Sequence, residues 1–126
     1  MSVTDFVAPI GYVKGVNLNA TGDTAIELKI PNGARKWLAT DIVVTNASTS
    51  LSGGSLQFGI FEGTGETGSI LANGVNSATS LTAADKAIKL SATDTSTGST
   101  LYFHVEVANG GAATADVYVY GLVFPE

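Results

Sequence analysis

The last apolar run of the chain, residues 101–124, decides the fold. It reads LYFHVEV at residues 101–107, ANGGAA at 108–113 and TADVYVYGLVF at 114–124. Both apolar arms alternate with a period of two and are rich in β-branched and aromatic residues, which is typical of strands rather than of a helix. Because glycines separate the two arms, the run is predicted to form a β-hairpin.

The side chains of these two arms divide into two faces. The face expected to point into the core carries Phe103, Val105, Val107, Val117, Val119 and Val123. For these residues of the two arms to lie on the same face of the hairpin, its loop must contain an odd number of residues. A one-residue slip would move all the side chains of one strand to the opposite face. The second face carries large side chains that an isolated monomer would leave in water, and such a patch usually marks a partner. We therefore predict that four side chains of this face form a subunit interface: Tyr102, His104, Tyr118 and Tyr120.

Composition narrows the class of protein. The 126 residues suit one domain, with 44% hydrophobic and 13% charged residues. A net charge of −5 argues against nucleic-acid binding, which relies on cationic side chains. With no cysteine, neither a disulfide framework nor a zinc–thiolate site is expected. The chain start lacks the blocks of a signal peptide and no apolar run is long enough to cross a membrane, so we expect synthesis in the cytoplasm and no membrane partner.

The spacing of the apolar runs predicts the architecture. Short runs separated by clusters of Gly, Ser, Thr and Asn predict about eight strands and no long helix. The fold class is therefore all-β, an antiparallel two-sheet sandwich that is jelly-roll-like, with residues 11–126 as its single domain. Residues 1–10 are predicted to form an extended arm, because Pro9 disfavours a central strand. The arm is expected to contact a neighbouring subunit or a capsid through Val3, Phe6, Val7 and Ile10.

Alternation along the other runs assigns their faces. Residues 36–46 are predicted to be a strand with Leu38 towards the core and Trp37 on the opposite side, paired with residues 55–62 as a hairpin. Residues 63–80 are expected to be loop with one short strand, followed by one helical turn at 81–85. The predicted core contains Ile26, Leu28, Leu38, Ile42, Val44, Leu56, Phe58, Ile60, Phe103, Val105, Val117 and Val119.

Two patterns bear on chemistry. Residues 63–68, GTGETG, match the glycine fingerprint of a dinucleotide site, but no helix follows to hold a pyrophosphate, so we interpret the segment as a loop. His104 and Glu106 share one strand face, and Asp116 is expected on the same face of the predicted hairpin; these residue types could form a metal site or an acid–base pair. The chain has a single histidine and no second ligand-rich segment, so we expect His104 to be a surface or interface residue. We expect no enzymatic activity, no cofactor and no metal.

Trp37 supports a different class of function. A flat aromatic face can stack on a pyranose ring, and Trp37 is thus the candidate sugar contact of a carbohydrate-binding sandwich. Packing in the core or in an interface is the competing interpretation of the same residue.

Three segments resemble those of small β-sandwich virion proteins of tailed bacteriophages. They are ATDIVVTNAS at residues 39–48, FGIFEG at 58–63 and GAATADVYVYG at 111–121. The resemblance is of pattern over residues 25–124. It implies a non-enzymatic structural protein, most like a capsid decoration (cement) protein that sits as a homotrimer on the outer surface of the head and binds the major capsid protein. The alternative is a tail-fibre or other receptor- or carbohydrate-binding module.

Overall fold

The structure is a computed structural model that describes residues 8–29, 36–52, 54–75, 81, 87–91, 95–96 and 100–124. These residues form ten strands. The strands are β1 (Ala8–Asn17), β2 (Gly22–Ala25), β3 (Glu27–Leu28), β4 (Lys36–Thr45), β5 (Gln57–Gly63), β6 (Thr67–Val75), β7 (Ala87–Ser91), β8 (Thr95–Ser96), β9 (Tyr102–Val107) and β10 (Thr114–Phe124). These residues contain no helix. No helix among them could therefore span a membrane.

The strands form two antiparallel sheets. Sheet A has the order β3-β1-β10-β4-β7, with β8 also paired to β4, and sheet B has the order β2-β9-β5-β6. Leaving out the two-residue strands β3 and β8, each sheet has four strands. The first strand then pairs with the last and the second with the next to last, which is the double Greek key of a jelly roll. The predicted fold class is confirmed.

The predicted hairpin of residues 101–124 is wrong, because its two arms belong to different sheets. β9 lies between β2 and β5 in sheet B, and β10 lies between β1 and β4 in sheet A. The segment that connects β9 to β10 is hydrogen-bonded to other parts of the chain. The Asn109 N–H donates to the Leu18 carbonyl at 2.9 Å, and the Ser55 N–H donates to the Asn109 carbonyl at 3.2 Å. The segment therefore crosses from one sheet to the other, and the prediction of an odd number of loop residues does not apply to it.

The core lies between the sheets and receives both arms from opposite sides. Phe103 and Val105 of β9, and Val117 and Val119 of β10, are buried in one cluster. Phe58 and Phe103 stack with ring centroids 4.8 Å apart. Alternation thus identified the inward faces, although Val107, at the end of β9, is 39% exposed. The other predicted core residues that the structure buries are Ile26, Ile42, Val44, Leu56, Phe58 and Ile60, while Leu28 packs partly buried against them.

A β-bulge corrects the predicted faces of β4. Tyr120 pairs with Asp41 but Gly121 pairs with Ala39, so Thr40 is an extra residue. An extra residue reverses the facing of the strand before it. Trp37 consequently points into the core and is 0% exposed, whereas Leu38, predicted to be core, is only partly buried.

The region after β4 also differs from its prediction. The expected hairpin of residues 36–46 with 55–62 is wrong, because β4 and β5 lie in different sheets. β5 pairs instead with β6, a nine-residue strand that is longer than the one short strand expected in this stretch. The GTGETG segment forms the tight turn of this hairpin, with Gly63 paired to Thr67. The predicted helical turn falls, apart from the buried Leu81, outside the described residues.

The boundary of the predicted arm needs correction. β1 begins at Ala8, and Ala8 and Pro9 pair with Gly121 and Tyr120 of β10. Ile10 is 0% exposed in the core and is therefore not a capsid contact. Val3, Phe6 and Val7 lie outside the described residues.

Candidate functional site

The four residues predicted as one interface lie on opposite sides of the sandwich. Phe103 and Val105 face the core from β9, so Tyr102 and His104 point outward from sheet B. Val117 and Val119 face the core from β10, so Tyr118 and Tyr120 point outward from sheet A. The predicted single face does not exist, because it depended on pairing β9 with β10.

On sheet B, His104 lies between two carboxylates of the same chain. Its Nδ1 is 2.8 Å from Asp23 Oδ1, and its Nε2 is 2.9 Å from Glu66 Oε1. The exposed fractions of the side chains are 14% for His104, 23% for Asp23 and 35% for Glu66, so the imidazole is the most sheltered of the three groups. We call these three residues the His104 clamp.

Three separate elements assemble the clamp. Asp23 lies directly opposite His104 because β2 pairs with β9 in that register. Glu66 comes from the turn between β5 and β6, where it has a φ of 66°. That left-handed conformation costs a non-glycine residue about 1 kcal/mol or more, so the contact with His104 offsets strain in the turn.

Two further contacts fix the clamp in place. The Gly65 N–H donates to Asp23 Oδ2 at 3.2 Å, so one carboxylate binds both the histidine and the turn. Phe61 of β5 meets the imidazole edge-on, with centroids 6.0 Å apart. Phe61 is buried, yet it lies on the outer side of sheet B, since its β9 partner is Tyr102. His104 and the turn thus belong to a small packed cluster outside the main core.

The geometry of the clamp does not favour a metal. The two ring nitrogens lie on opposite sides of the imidazole, so the carboxylates that they contact cannot converge on one ion. Within the described ranges, no group of three or more His, Cys, Asp and Glu residues is arranged to hold a metal ion.

Sequence reasoning missed both partners of His104. It considered Glu106 and Asp116, which are near in sequence, but Asp116 lies in sheet A, where it accepts hydrogen bonds from the Gly15 N–H and the Asn46 amide at 2.9 and 2.8 Å. Asp23 is 81 positions from His104. Glu66 lies within the GTGETG segment, which was interpreted as a loop, and no residue pattern near it indicates contact with a histidine.

Trp37 cannot serve as the predicted sugar contact. Its side chain is completely buried between the sheets, so no ring face is accessible for stacking. The exposed aromatic surface of sheet A is instead formed by tyrosines. Tyr12 and Tyr118 stack with centroids 6.4 Å apart, and Val43 lies beside Tyr118 on β4. All three side chains are partly exposed.

The described part of the chain is thus a jelly-roll sandwich with a carboxylate-bound histidine on one face and a tyrosine row on the other. No protein-family model, curated protein or solved structure matches it.

Proposed function

We propose that this protein is a structural component of a tailed-phage virion, a capsid decoration protein that binds and stabilises the outer surface of the head. One observation carries the proposal. Two of the three segments that resemble phage virion proteins, residues 39–48 and 111–121, contain the paired parts of β4 and β10, from Asp116–Thr45 to Gly121–Ala39. The resemblance therefore concerns two adjacent strands at the centre of sheet A.

A non-enzymatic role is part of this proposal. The one histidine of the chain has both ring nitrogens in contact with carboxylates of its own fold, and this supports a structural use of His104.

The partners follow from the same resemblance. A decoration protein would contact the major capsid protein and associate as a homotrimer, made in the host cytoplasm and carried on the capsid surface. For self-association the outer face of sheet A is the best candidate, because Tyr12, Tyr118 and Tyr120 combine apolar area with hydroxyl groups that suit a polar partner.

Binding to phage heads tests the proposal. The purified protein would be sedimented with expanded heads of the phage that encodes it, after the heads have been stripped of the protein. We expect saturable binding, and heads already saturated with unlabelled protein serve as the control for specificity. Absence of head binding would contradict the proposal. Binding to host-cell glycans in place of heads would favour the tail-fibre alternative, although its candidate aromatic contact, Trp37, is buried.

A further inference from the structure

We infer that the His104 clamp is a proton-sensitive latch that sets the conformation of the exposed turn at residues 64–66. An ionised carboxylate can only accept hydrogen bonds, so His104 donates to both Asp23 and Glu66 only while both of its ring nitrogens carry a proton. The neutral ring has one N–H and one bare nitrogen, and a bare nitrogen facing a carboxylate gives repulsion instead of a bond.

The two carboxylates of the clamp are held differently. Asp23 is the more sheltered carboxylate, and it also accepts the Gly65 N–H. Glu66 is the more exposed partner and is held in a left-handed conformation. When His104 loses a proton, the remaining N–H stays on Nδ1 towards Asp23, and Glu66 is released.

The neighbours that face His104 from the surrounding elements are carboxylates and apolar or aromatic groups. Asp23 faces it from β2 and Glu66 from the turn, while β5 presents Phe61 and, directly opposite His104, the side-chain-free Gly59. The neighbours of His104 on the same side of β9 are Tyr102 and Glu106. Glu62 on β5 is the remaining carboxylate, and the sequences of β2, β5, β6 and β9 contain no Lys or Arg. His104 is thus the only group of these four strands that can carry a positive charge.

The latch is closed on the acidic side of the histidine titration and opens as the pH rises through it. At still lower pH, protonation of Asp23 and Glu66 removes the acceptors and opens the latch again. The turn that responds is solvent-exposed at Thr64, Gly65 and Glu66, so a partner bound there would sense the change.

Amide hydrogen exchange tests this inference on the whole protein. The protection factor of the Gly65 amide, corrected for intrinsic exchange, is measured across the histidine titration and above the range in which carboxylates take up protons. We expect it to fall about three- to ten-fold as the pH rises, because the release of Glu66 loosens the turn that carries Gly65 and so weakens the Gly65 N–H bond to Asp23 Oδ2, a partly exposed charge-assisted hydrogen bond. Unchanged protection of the Val117 and Val119 amides shows that the core remains folded.

Two variants make the test specific. In Glu66→Gln the amide can accept from a protonated Nε2 or donate to a bare one, so we expect the Gly65 protection to lose its pH dependence. Glu27→Gln removes the same charge from sheet A, where Lys29 and Tyr12 hydrogen-bond the Glu27 carboxylate and lower its pKa. That variant should keep the wild-type pH dependence. A wild-type protein without pH dependence at Gly65, or a Glu66→Gln variant that retains it, would overturn the inference.

Discussion

Trp37 is the largest side chain that the described residues bury completely, and its burial depends on the bulge at Thr40. Truncating a buried aromatic removes its transfer free energy and leaves a cavity, so we expect Trp37→Ala to lower the free energy of unfolding by about 3–5 kcal/mol. That is a large part of the total stability of a small domain. Urea denaturation measures the loss, with Val107→Ala as control because Val107 is 39% exposed. A loss for Trp37→Ala as small as that of the control would mean that Trp37 faces solvent.

Gly121 sits where three strands approach closely. A Cβ on Gly121 would lie 2.1 Å from the Leu38 carbonyl oxygen and 2.9 Å from the Ala39 Cα. These are backbone atoms, so β4 would have to move away from β10. We expect Gly121→Ala to destabilise the fold by about 2–3 kcal/mol, near the upper end for an overpacked site. Gly111→Ala is the matched control, since a Cβ there meets nothing within 4 Å. Equal denaturation midpoints for the two variants would contradict the close packing of these strands.

At the residue scale, alternation in the sequence identifies the burial of Phe103, Val105, Val117 and Val119, because a strand buried on one face must alternate. The same rule misplaces Trp37 and Leu38. A bulge changes the count by one residue, and nothing in the composition around Thr40 signals it. The partners of His104 were beyond prediction for a different reason: they come from β2 and from the β5–β6 turn, which only the complete topology brings together.

At the element scale, the limits of local pattern are clearest for β9 and β10. Period-two alternation records which side of each strand is buried, and this holds whether the two strands pair in one sheet or face each other across a core. The choice between these arrangements depends on long-range pairing. β10 pairs with β1 and β4, and β9 with β2 and β5, so each strand already has two neighbours in its own sheet. A hairpin between them would require breaking one of these pairings.

β6 is an edge strand that lacks the charged side chains which commonly prevent pairing with a strand of another chain. It is nine residues long, contains no charged residue or proline, and among the described strands it pairs only with β5 and lies at the end of sheet B. Such an edge invites pairing with another chain. Its register with β5 shifts twice, between Phe58 and Ile60 and between Ile60 and Phe61. Bulges twist an edge and interrupt its regular row of hydrogen-bonding groups, which discourages the addition of a further strand.

At the scale of the whole molecule, charge is distributed unevenly between the two sheets. Lysines occur in the sequences of the sheet A strands β1, β4 and β7, whereas the sheet B strands carry only carboxylates besides His104. The described strands of sheet A carry three lysines and three carboxylates, whereas those of sheet B carry three carboxylates and His104, so the excess of negative charge in these strands lies on the side of the clamp. Copies of the chain that met through sheet B would bring like charges together, which is costly in an interface.

This asymmetry leads to a prediction about self-association. Sheet A presents an outward row in which Tyr12 pairs with Tyr118 and Tyr118 with Val43, and Tyr120 lies two residues further along β10. Tyrosine buries a large area while its hydroxyl keeps a polar partner. We expect the protein to associate through this face, and we expect replacing both Tyr118 and Tyr120 by Ser to weaken association by about ten-fold or more, as for the loss of interface anchors.

Sedimentation equilibrium at micromolar concentration measures this association, and the virion proposal sets the expected mass at three chains. Tyr102→Ser is the matched control, because it removes a tyrosine of similar exposure from the outer side of sheet B. Association should be unchanged in that variant and should not require His104, whose ring is engaged within its own chain. A monomeric wild-type protein would contradict association altogether. A loss of association in Tyr102→Ser, with the sheet A variant unaffected, would instead move the interface to the acidic face, where the clamp itself would become part of it.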